Sequence, residues 1–341
     1  MKNRYARQAL FLGENTQQRI QQAKVLIIGA GALGSASAEM LARAGAGKLT
    51  IVDRDYVEWS NLQRQQLYIE TDVHQNLPKA IAAEKRLAQI NSEITISGIV
   101  EDVHGLNIEE LMKSHTIVVD ATDNFETSLM INDAAMKQGI PYIFGACVGS
   151  YGLALPIIPG KTPCLHCLLE HLPLDTMTCD TVGVISPIVQ VIAAFQVTHV
   201  LKWLAGKTMA PIVQSIDLWK GERAEINVAK LKNPHCLTCG EKPIYPFLQF
   251  ENQMKTHVLC GRDAVQLRPG LVQEYSLEQL ASNISRKVTN LVLNPYLLSC
   301  QFEVYRIVFF ADGRAIIHGV TDSKKARVIY NRFIQMGGAC K

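Results

Sequence analysis

Gly29, Gly31 and Gly34 stand at G-x-G-x-x-G spacing directly after the apolar run Val25-Leu26-Ile27-Ile28. A glycine turn between a buried strand and a helix start is a place to hold an anion. The first glycine permits the tight turn, the second lets backbone approach a phosphate, and the third lets helix and strand pack closely. The free N–H groups and partial positive charge of the helix start complete the site. The next apolar strand, Leu49-Thr50-Ile51-Val52, ends in Asp53. That is about the ~20-residue offset at which a Rossmann unit sets a carboxylate on a ribose hydroxyl. The turn therefore reads as a nucleotide site. NAD and ATP both satisfy it, since each has a ribose and phosphates.

Arg64, Lys79 and Asp123 fall just after strands or at helix starts, and Arg7 lies near the N-terminus. Attack of a carboxylate on the α-phosphorus of ATP brings two anions together. It requires cations to neutralise charge, a carboxylate to hold Mg²⁺ and accurate positioning. Hydride transfer has less need of these cations, so the set favours ATP over NAD.

Four cysteines form two C-x-x-C pairs, Cys164/Cys167 and Cys236/Cys239. Four thiolates fill a tetrahedral zinc shell and leave no open position for catalysis. Redox dithiols need no second matching pair, so structural zinc is favoured, pinning a late loop back onto the body. His166, inside the first pair, reads as a bystander. Cys179 lies among Pro173, Asp175, Thr176 and Thr178. It is either a reactive thiol or an inert one, because reactivity requires exposure and a lowered pKa. Cys147, Cys260, Cys300 and Cys340 read as packing or incidental residues.

The elements that must position these groups follow from hydrophobic pattern. Tyr5 to Gln8 precedes the first strand, Gln17 to Gln22 looks helical, and Ser35 to Ala44 reads as the helix after the glycines. A polar segment runs from Asp55 to Gln65. Pro78-Lys79 then opens a helix with Ala80, Ala83, Leu87 and Ile90 on one face. Strands are expected over Ile94–Ile99, Thr116–Asp120 and from Gly139 to Phe144, with a helix over Phe125–Lys137. The alternation predicts an α/β, Rossmann-like, doubly wound and mainly parallel sheet. Ligands of such sheets bind beyond the carboxyl ends of the strands, where Asp53, Asp120 and Asp123 fall. Polar residues such as Gln190, Gln196 and Lys202 interrupt the apolar stretch Val182–Leu204, which reads as a buried helix opened by a Ser186 cap and Pro187.

The expected division is an ATP-binding domain with the four-cysteine zinc site over 1–240 and a small α+β C-terminal domain over 241–341. The latter has an expected strand at Thr256–Cys260 and a capping box at Ser276–Gln279. A hairpin at Asp312-Gly313 follows, then a closing helix over Asp322–Gln335; there is no catalytic motif. The 341 residues are 48% hydrophobic and 19% charged, with a net charge of +3. That is ordinary for a soluble globular protein and too weak a charge to suggest nucleic acid or membrane as partners. The N-terminus has no signal-peptide core, so a cytoplasmic location is expected. There, nine cysteines point to metal or catalysis more than to disulfides.

Taken together, the motifs resemble the ThiF/MoeB/HesA family, bacterial relatives of ubiquitin-activating enzymes. The matching pieces are Arg4-Tyr5-x-Arg7-Gln8, the three glycines, Asp53-x-Asp55, Ser60-Asn61-Leu62-Gln63-Arg64-Gln65, Pro78-Lys79, Asp120-x-Thr122-Asp123-Asn124, both C-x-x-C pairs and Thr178-Cys179. They occur in family order from about residue 4 to 240. Asp53-Arg54-Asp55-Tyr56-Val57 with Trp59-Ser60-Asn61, the segment from Gly145 to Gly152 and the tail ending in Asp312-Gly313-Arg314 look most like the thiazole-biosynthesis branch of Bacillus type.

The resemblance implies adenylation of the C-terminal glycine of a ubiquitin-like sulfur carrier, ThiS-like or MoaD-like, with release of pyrophosphate. It implies a nucleotide held by Gly29, Gly31, Gly34, Asp53 and Asn61, with Arg64 and Lys79 on phosphates. It further implies Mg²⁺ on Asp123, zinc on the four cysteines, and a homodimer in which Arg7 reaches the partner subunit's ATP. Sulfur would come from a separate donor of the cysteine desulfurase type, and Cys179 can join the carrier as an acyl-disulfide in some members. One departure is Asn76, where the family often has glycine three residues before the lysine; asparagine tolerates left-handed backbone better than most residues. The alternatives are a molybdopterin-synthase adenylyltransferase of MoeB type, an NAD-dependent oxidoreductase with structural zinc, and a non-catalytic carrier-binding scaffold.

Overall fold

The structure, a computed structural model, describes residues 4–169, 182–249, 255–259, 263–270 and 274–337. The chain forms two compact units, Met1–Phe250 and Glu251–Lys341. The division falls later than the break after residue 240 read from the sequence. Phe247 and Leu248 pack against a core of the first unit, and the Phe247 N–H donates to Asp133 at 2.8 Å.

The first unit is built on an eight-stranded sheet. Its strands are β1 (Lys24–Ile28), β2 (Lys48–Val52), β3 (Thr95–Ile99), β4 (Ile117–Asp120), β5 (Tyr142–Val148), β6 (Tyr151–Ile157), β7 (Ile212–Asp217) and β8 (Glu222–Asn227). The order is β3-β2-β1-β4-β5-β6-β7-β8. The first five pair in parallel, and β6, β7 and β8 extend the sheet antiparallel. β1 and β4 are short apolar runs buried on both faces, as covered parallel strands require. Strand order reverses between β1 and β4, and this switch point opens a crevice at their carboxyl ends.

Helices α1 (Ala6–Leu12), α2 (Glu14–Gln22), α3 (Ala32–Ala44), α4 (Glu70–His74), α5 (Lys79–Ile90), α6 (Ile108–Met112), α7 (Phe125–Gln138), α8 (Leu165–Leu169) and α9 (Ser186–Leu204) complete the described part of this unit. Residues of α3, α5 and α9 share one core with the sheet, and those of α6, α7 and α8 share another. Tyr5 to Gln8, read only as a lead-in, enters α1. The helix expected from Ser35 starts at Ala32, so Gly34 lies inside it. Ser186 is not a cap: the cap position falls on Ile185, which has no side-chain acceptor, although Pro187 does sit in the first turn. α9 is long and apolar enough to cross a membrane, yet Ile188, Val189, Ile192, Ala193, Val197 and Val200 are buried in the first core.

The second unit carries a six-stranded antiparallel sheet of order β11-β12-β13-β14-β10-β9. Its strands are β9 (Lys255–Leu259), β10 (Ala264–Arg268), β11 (Thr289–Leu293), β12 (Leu297–Phe302), β13 (Tyr305–Phe310) and β14 (Ala315–His318). Helices α10 (Leu277–Ile284) and α11 (Ser323–Met336) share its apolar core. Ser276 caps α10 by accepting from the Gln279 N–H, and Gly313 takes the left-handed conformation, with φ 83°, in the β13–β14 hairpin.

Asn76, between α4 and α5, has φ 47°, the left-handed backbone that glycine adopts freely. Asn76→Val should cost about 1–2 kcal/mol of stability, read as a fall in the thermal midpoint, and Asn76→Gly clearly less. Equal midpoints for the two variants would show that the turn does not demand this conformation.

Candidate functional site

The glycine turn is shaped by contact between backbones. Gly29 has φ 94°, and a Cβ there would lie 2.5 Å from the Ala121 carbonyl oxygen. A Cβ on Gly34 would lie 1.8 Å from the Gly29 carbonyl oxygen. Both glycines are therefore required by packing. Gly31 differs: its Cβ would meet nothing nearer than Gln65 Nε2 at 3.9 Å. Gly31 is also the N-cap of α3, with no side-chain cap and no acidic residue in the first turn. The unpaired N–H groups of that turn thus face a space open to an anion.

Asp53 ties this turn to the next. Its Oδ2 accepts from the Ala30 N–H and its Oδ1 from the Asp55 N–H, each at 2.6 Å. Burial holds the Asp53 carboxyl above its ordinary pKa; the Lys79 ammonium opposes that shift and Asp55 adds to it. Lys79 is buried at the start of α5, with Nζ 3.1 Å from Asp55 Oδ2 and its N–H donating to the Asp55 carbonyl at 2.8 Å.

The loop after β2 folds onto the same turn. Tyr68 OH donates to the Ala30 carbonyl at 2.6 Å, and Arg64 Nη1 donates to the Ser60 carbonyl at 2.7 Å. Asn61 is fully buried and its Oδ1 accepts from the Glu58 N–H. Asn61 Nδ2 and Gln65 Oε1 are buried without a hydrogen-bond partner. An unmade buried bond costs about 1–3 kcal/mol, and a polar ligand over Gly31 would offer partners.

Asp120 and Asp123 diverge. The sequence set both at the ligand edge, but Asp120 is fully buried. Its Oδ1 accepts from Thr122 N–H and Oγ1 at 3.1 and 2.8 Å, and burial pushes its pKa up to about 6. Through Oδ1 it fastens the turn into α7, while its Oδ2 is buried without a hydrogen-bond partner. Asp123 is exposed at the start of α7, where Asn124 caps the helix by accepting from Thr127 N–H. Arg54, paired with Asp102 at 2.9 Å, lies in the field of both Asp55 and Asp123.

The carboxyl ends of β1, β2 and β4 thus gather Gly29, Gly31, Gly34, Asp53, Asn61, Arg64, Lys79 and Asp123. Arg7 is not among them. It is exposed on α1, which Gln8 ties to the Ala44 carbonyl at 2.9 Å. Ala44 is the far end of α3, whose 13 residues span about 20 Å. Cys179 lies outside the described residues. Sequence reasoning missed the Arg54–Asp102 pair and the roles of Gln65 and Tyr68; the polar run from Asp53 to Tyr68, after a buried strand, is the signal that marks them.

The cysteine sulfurs converge. Cys164–Cys236, Cys167–Cys239 and Cys164–Cys167 are 3.6, 3.5 and 3.9 Å apart, and all four lie within 4.8 Å of one another. Disulfide bonds would be about 2.0 Å. Zinc about 2.3 Å from four tetrahedral thiolates separates the sulfurs by about 3.8 Å, so the set fits that metal. His166 Nδ1 stands 3.8 Å from Cys236 Sγ, outside the sulfur set. Cys236→Ser should lower zinc content and the melting temperature together, because a closed metal site contributes to folding. Metal analysis finding no zinc in wild-type protein purified without chelator would refute the assignment.

A Bacillus subtilis (strain 168) protein named sulfur carrier protein ThiS adenylyltransferase is 54% identical over 336 residues, covering 98% of this chain and 100% of that protein. The molybdopterin-synthase adenylyltransferase of Escherichia coli (strain K12) is 32% identical over 242 residues, covering 70% of this chain and 96% of that protein. Among solved structures, E. coli MccB with ATP shares the fold, with a TM-score of 0.60 at 24% identity over 70% of this chain and 74% of that one. The ThiF family model matches residues 5–238, and the chain belongs to the ThiF family.

Proposed function

We propose that this protein is an ATP-dependent adenylyltransferase that activates the C-terminal glycine carboxylate of a ThiS-like sulfur carrier for thiazole biosynthesis. The observation that carries this reading is the match to the ThiS adenylyltransferase over 98% of the chain, which runs through the second unit. The molybdopterin-synthase relative covers 70%.

In this reading the ATP phosphates lie over Gly31 at the start of α3, and Asp53 meets the ribose. Each Asp53 oxygen already accepts one backbone N–H and keeps capacity for another donor. Lys79, aimed by Asp55, and Arg64 neutralise the phosphates as the carrier carboxylate attacks the α-phosphorus and pyrophosphate leaves. Mg²⁺, when bound, would be held by Asp123 and would screen the phosphate oxygens. Asn61 Nδ2, buried without a partner, suits an acceptor on the nucleotide. Zinc on Cys164, Cys167, Cys236 and Cys239 is structural.

Arg7 serves a second copy of the chain. It is remote from its own glycine turn, and its helix exposes Leu10 at 80% and Phe11 at 90%; both support a homodimer in which each subunit lends its Arg7 to the other. Sulfur arrives from a cysteine desulfurase-type donor, and Cys179 is the thiol that can join the carrier. The reaction belongs in the cytoplasm.

The deciding assay is carrier-dependent ATP–pyrophosphate exchange with ThiS-like and MoaD-like carriers side by side. Exchange should be faster with the ThiS-like carrier, and the reverse result would favour the molybdopterin reading. Asp123→Ala should lower exchange by roughly 10²–10³-fold, the scale for loss of one group on developing charge, with unchanged circular dichroism. Exchange near the wild-type rate would remove Asp123 from the site.

Arg7→Ala and Arg64→Ala should each be inactive alone, but mixed dimers of the two should regain one working site. No recovery in verified heterodimers would count against action across the dimer.

A further inference from the structure

The middle of α7 holds an adjacent polar pair, Asn132 and Asp133, both fully buried between the apolar Met130-Ile131 and Ala134-Ala135. Buried amides and carboxylates are costly unless bonded, and here the side-chain oxygens of each are bonded to one half of the cysteine cluster, although Asn132 Nδ2 has no partner. Asn132 Oδ1 accepts from the Leu165 N–H at 2.8 Å, inside the first C-x-x-C, and from Tyr142 OH at 3.0 Å. Asp133 Oδ1 accepts from Thr238 Oγ1 at 2.6 Å, inside the second C-x-x-C. Asp133 Oδ2 accepts from the Phe247 N–H at 2.8 Å. Thr238 passes the contact on, since its N–H lies 3.4 Å from Cys236 Sγ as donor. Both anchors hold residues between the cysteines and leave the sulfurs to the metal.

The same helix begins at the nucleotide side. Asp123 precedes it, about 15 Å from Asp133 at 1.5 Å per residue. Its first turn is fixed by Thr122 Oγ1, 3.0 Å from Ser128 Oγ and 2.8 Å from Asp120 Oδ1.

We propose that Asn132 and Asp133 are positioning residues that hold both halves of the metal site on α7, so that one rigid helix joins the metal centre to Asp123. Groups that orient metal ligands commonly change metal affinity about 10–100-fold when removed. The link to Asp123 rests on the adenylation reading above; the anchoring of the metal site does not.

The test uses the full-length zinc-loaded protein. Thr238→Val removes the hydroxyl that Asp133 holds at nearly constant volume, and Thr238→Ser keeps it. Zinc release to a chromogenic chelator should be at least about tenfold faster in T238V than in wild type, with T238S close to wild type. Asp133→Asn, which can accept from Thr238 but loses an acceptor for Phe247, should fall between. T238V releasing zinc as slowly as wild type, or T238S as fast as T238V, would overturn the anchoring.

A second readout is the Mg²⁺ dependence of pyrophosphate exchange by T238V while zinc remains bound. The half-saturating Mg²⁺ concentration should rise severalfold with little change in the saturated rate. An unchanged Mg²⁺ requirement alongside fast zinc release would overturn the link to Asp123. If wild type catalyses no exchange with any carrier, the adenylation reading fails, and zinc release still decides the anchoring.

Discussion

The site depends on what the Asp53 carboxylate does to backbone. One oxygen takes the Ala30 N–H and the other the Asp55 N–H, so a single side chain fixes the turn after β1 against the turn after β2. The remaining geometry follows from that bridge. Asp55, held in place, accepts from Lys79 through both its carbonyl and its carboxylate. Lys79 starts α5, so the register of a helix on the sheet is tied to a loop at its edge. Charge-assisted bonds to backbone N–H groups are roughly twice as strong as neutral ones, which suits a contact at a point where strands end and no ladder continues.

Close packing makes the bridge possible. Gly34 lies against the Gly29 carbonyl, and Gly29 against the Ala121 carbonyl. α3 and the end of β4 therefore approach as closely as backbone allows. Gln196 reaches across from α9 to the Asp120 carbonyl at 2.6 Å, satisfying a group that this approach would otherwise leave buried and unpaired. The crevice is rigid because its walls are main chain. Its rim carries the side chains of Arg64 and Asp123, the latter exposed.

Much of this is legible in one sequence because it rests on local rules. Glycines after an apolar run, an aspartate one strand later and paired C-x-x-C motifs each state a short-range geometry. β1, β2 and β4 are legible because buried strands are continuous apolar runs. What sequence could not resolve was direction and distance. Asp120 and Asp123 are three residues apart, yet one is buried and the other exposed, because the chain turns between them. The outer strand of the antiparallel extension, β8, is not legible because it is exposed along its whole length and carries no apolar signature. The second unit starts later than composition suggested because Phe247 and Leu248, after a polar segment, return to the first core. Asn132 and Asp133 were hidden for the opposite reason. They look like solvent-facing residues of an amphipathic helix, and only the three-dimensional return of residues 236–248 gives them partners.

Charge balance at the rim explains why the proposed reaction needs components from elsewhere. Asp53 and Asp55 face Lys79, and Asp55, Asp102 and Asp123 face Arg54. Arg54 is already paired with Asp102 and Lys79 with Asp55, so part of the cationic charge is balanced before a polyphosphate arrives. Coulomb repulsion between unscreened like charges at about 4 Å is about 4 kcal/mol at the effective dielectric of a protein surface. In the proposed reaction a nucleotide carrying its own divalent cation would bring that compensation with it, and the arginine proposed to come from a second subunit would add to it. A site with a full set of cations of its own would bind free phosphate compounds indiscriminately. With its lysine and one arginine held in ion pairs, a site of this kind would, on the proposed reading, bind tightly only with a nucleotide-borne metal and a partner subunit in place.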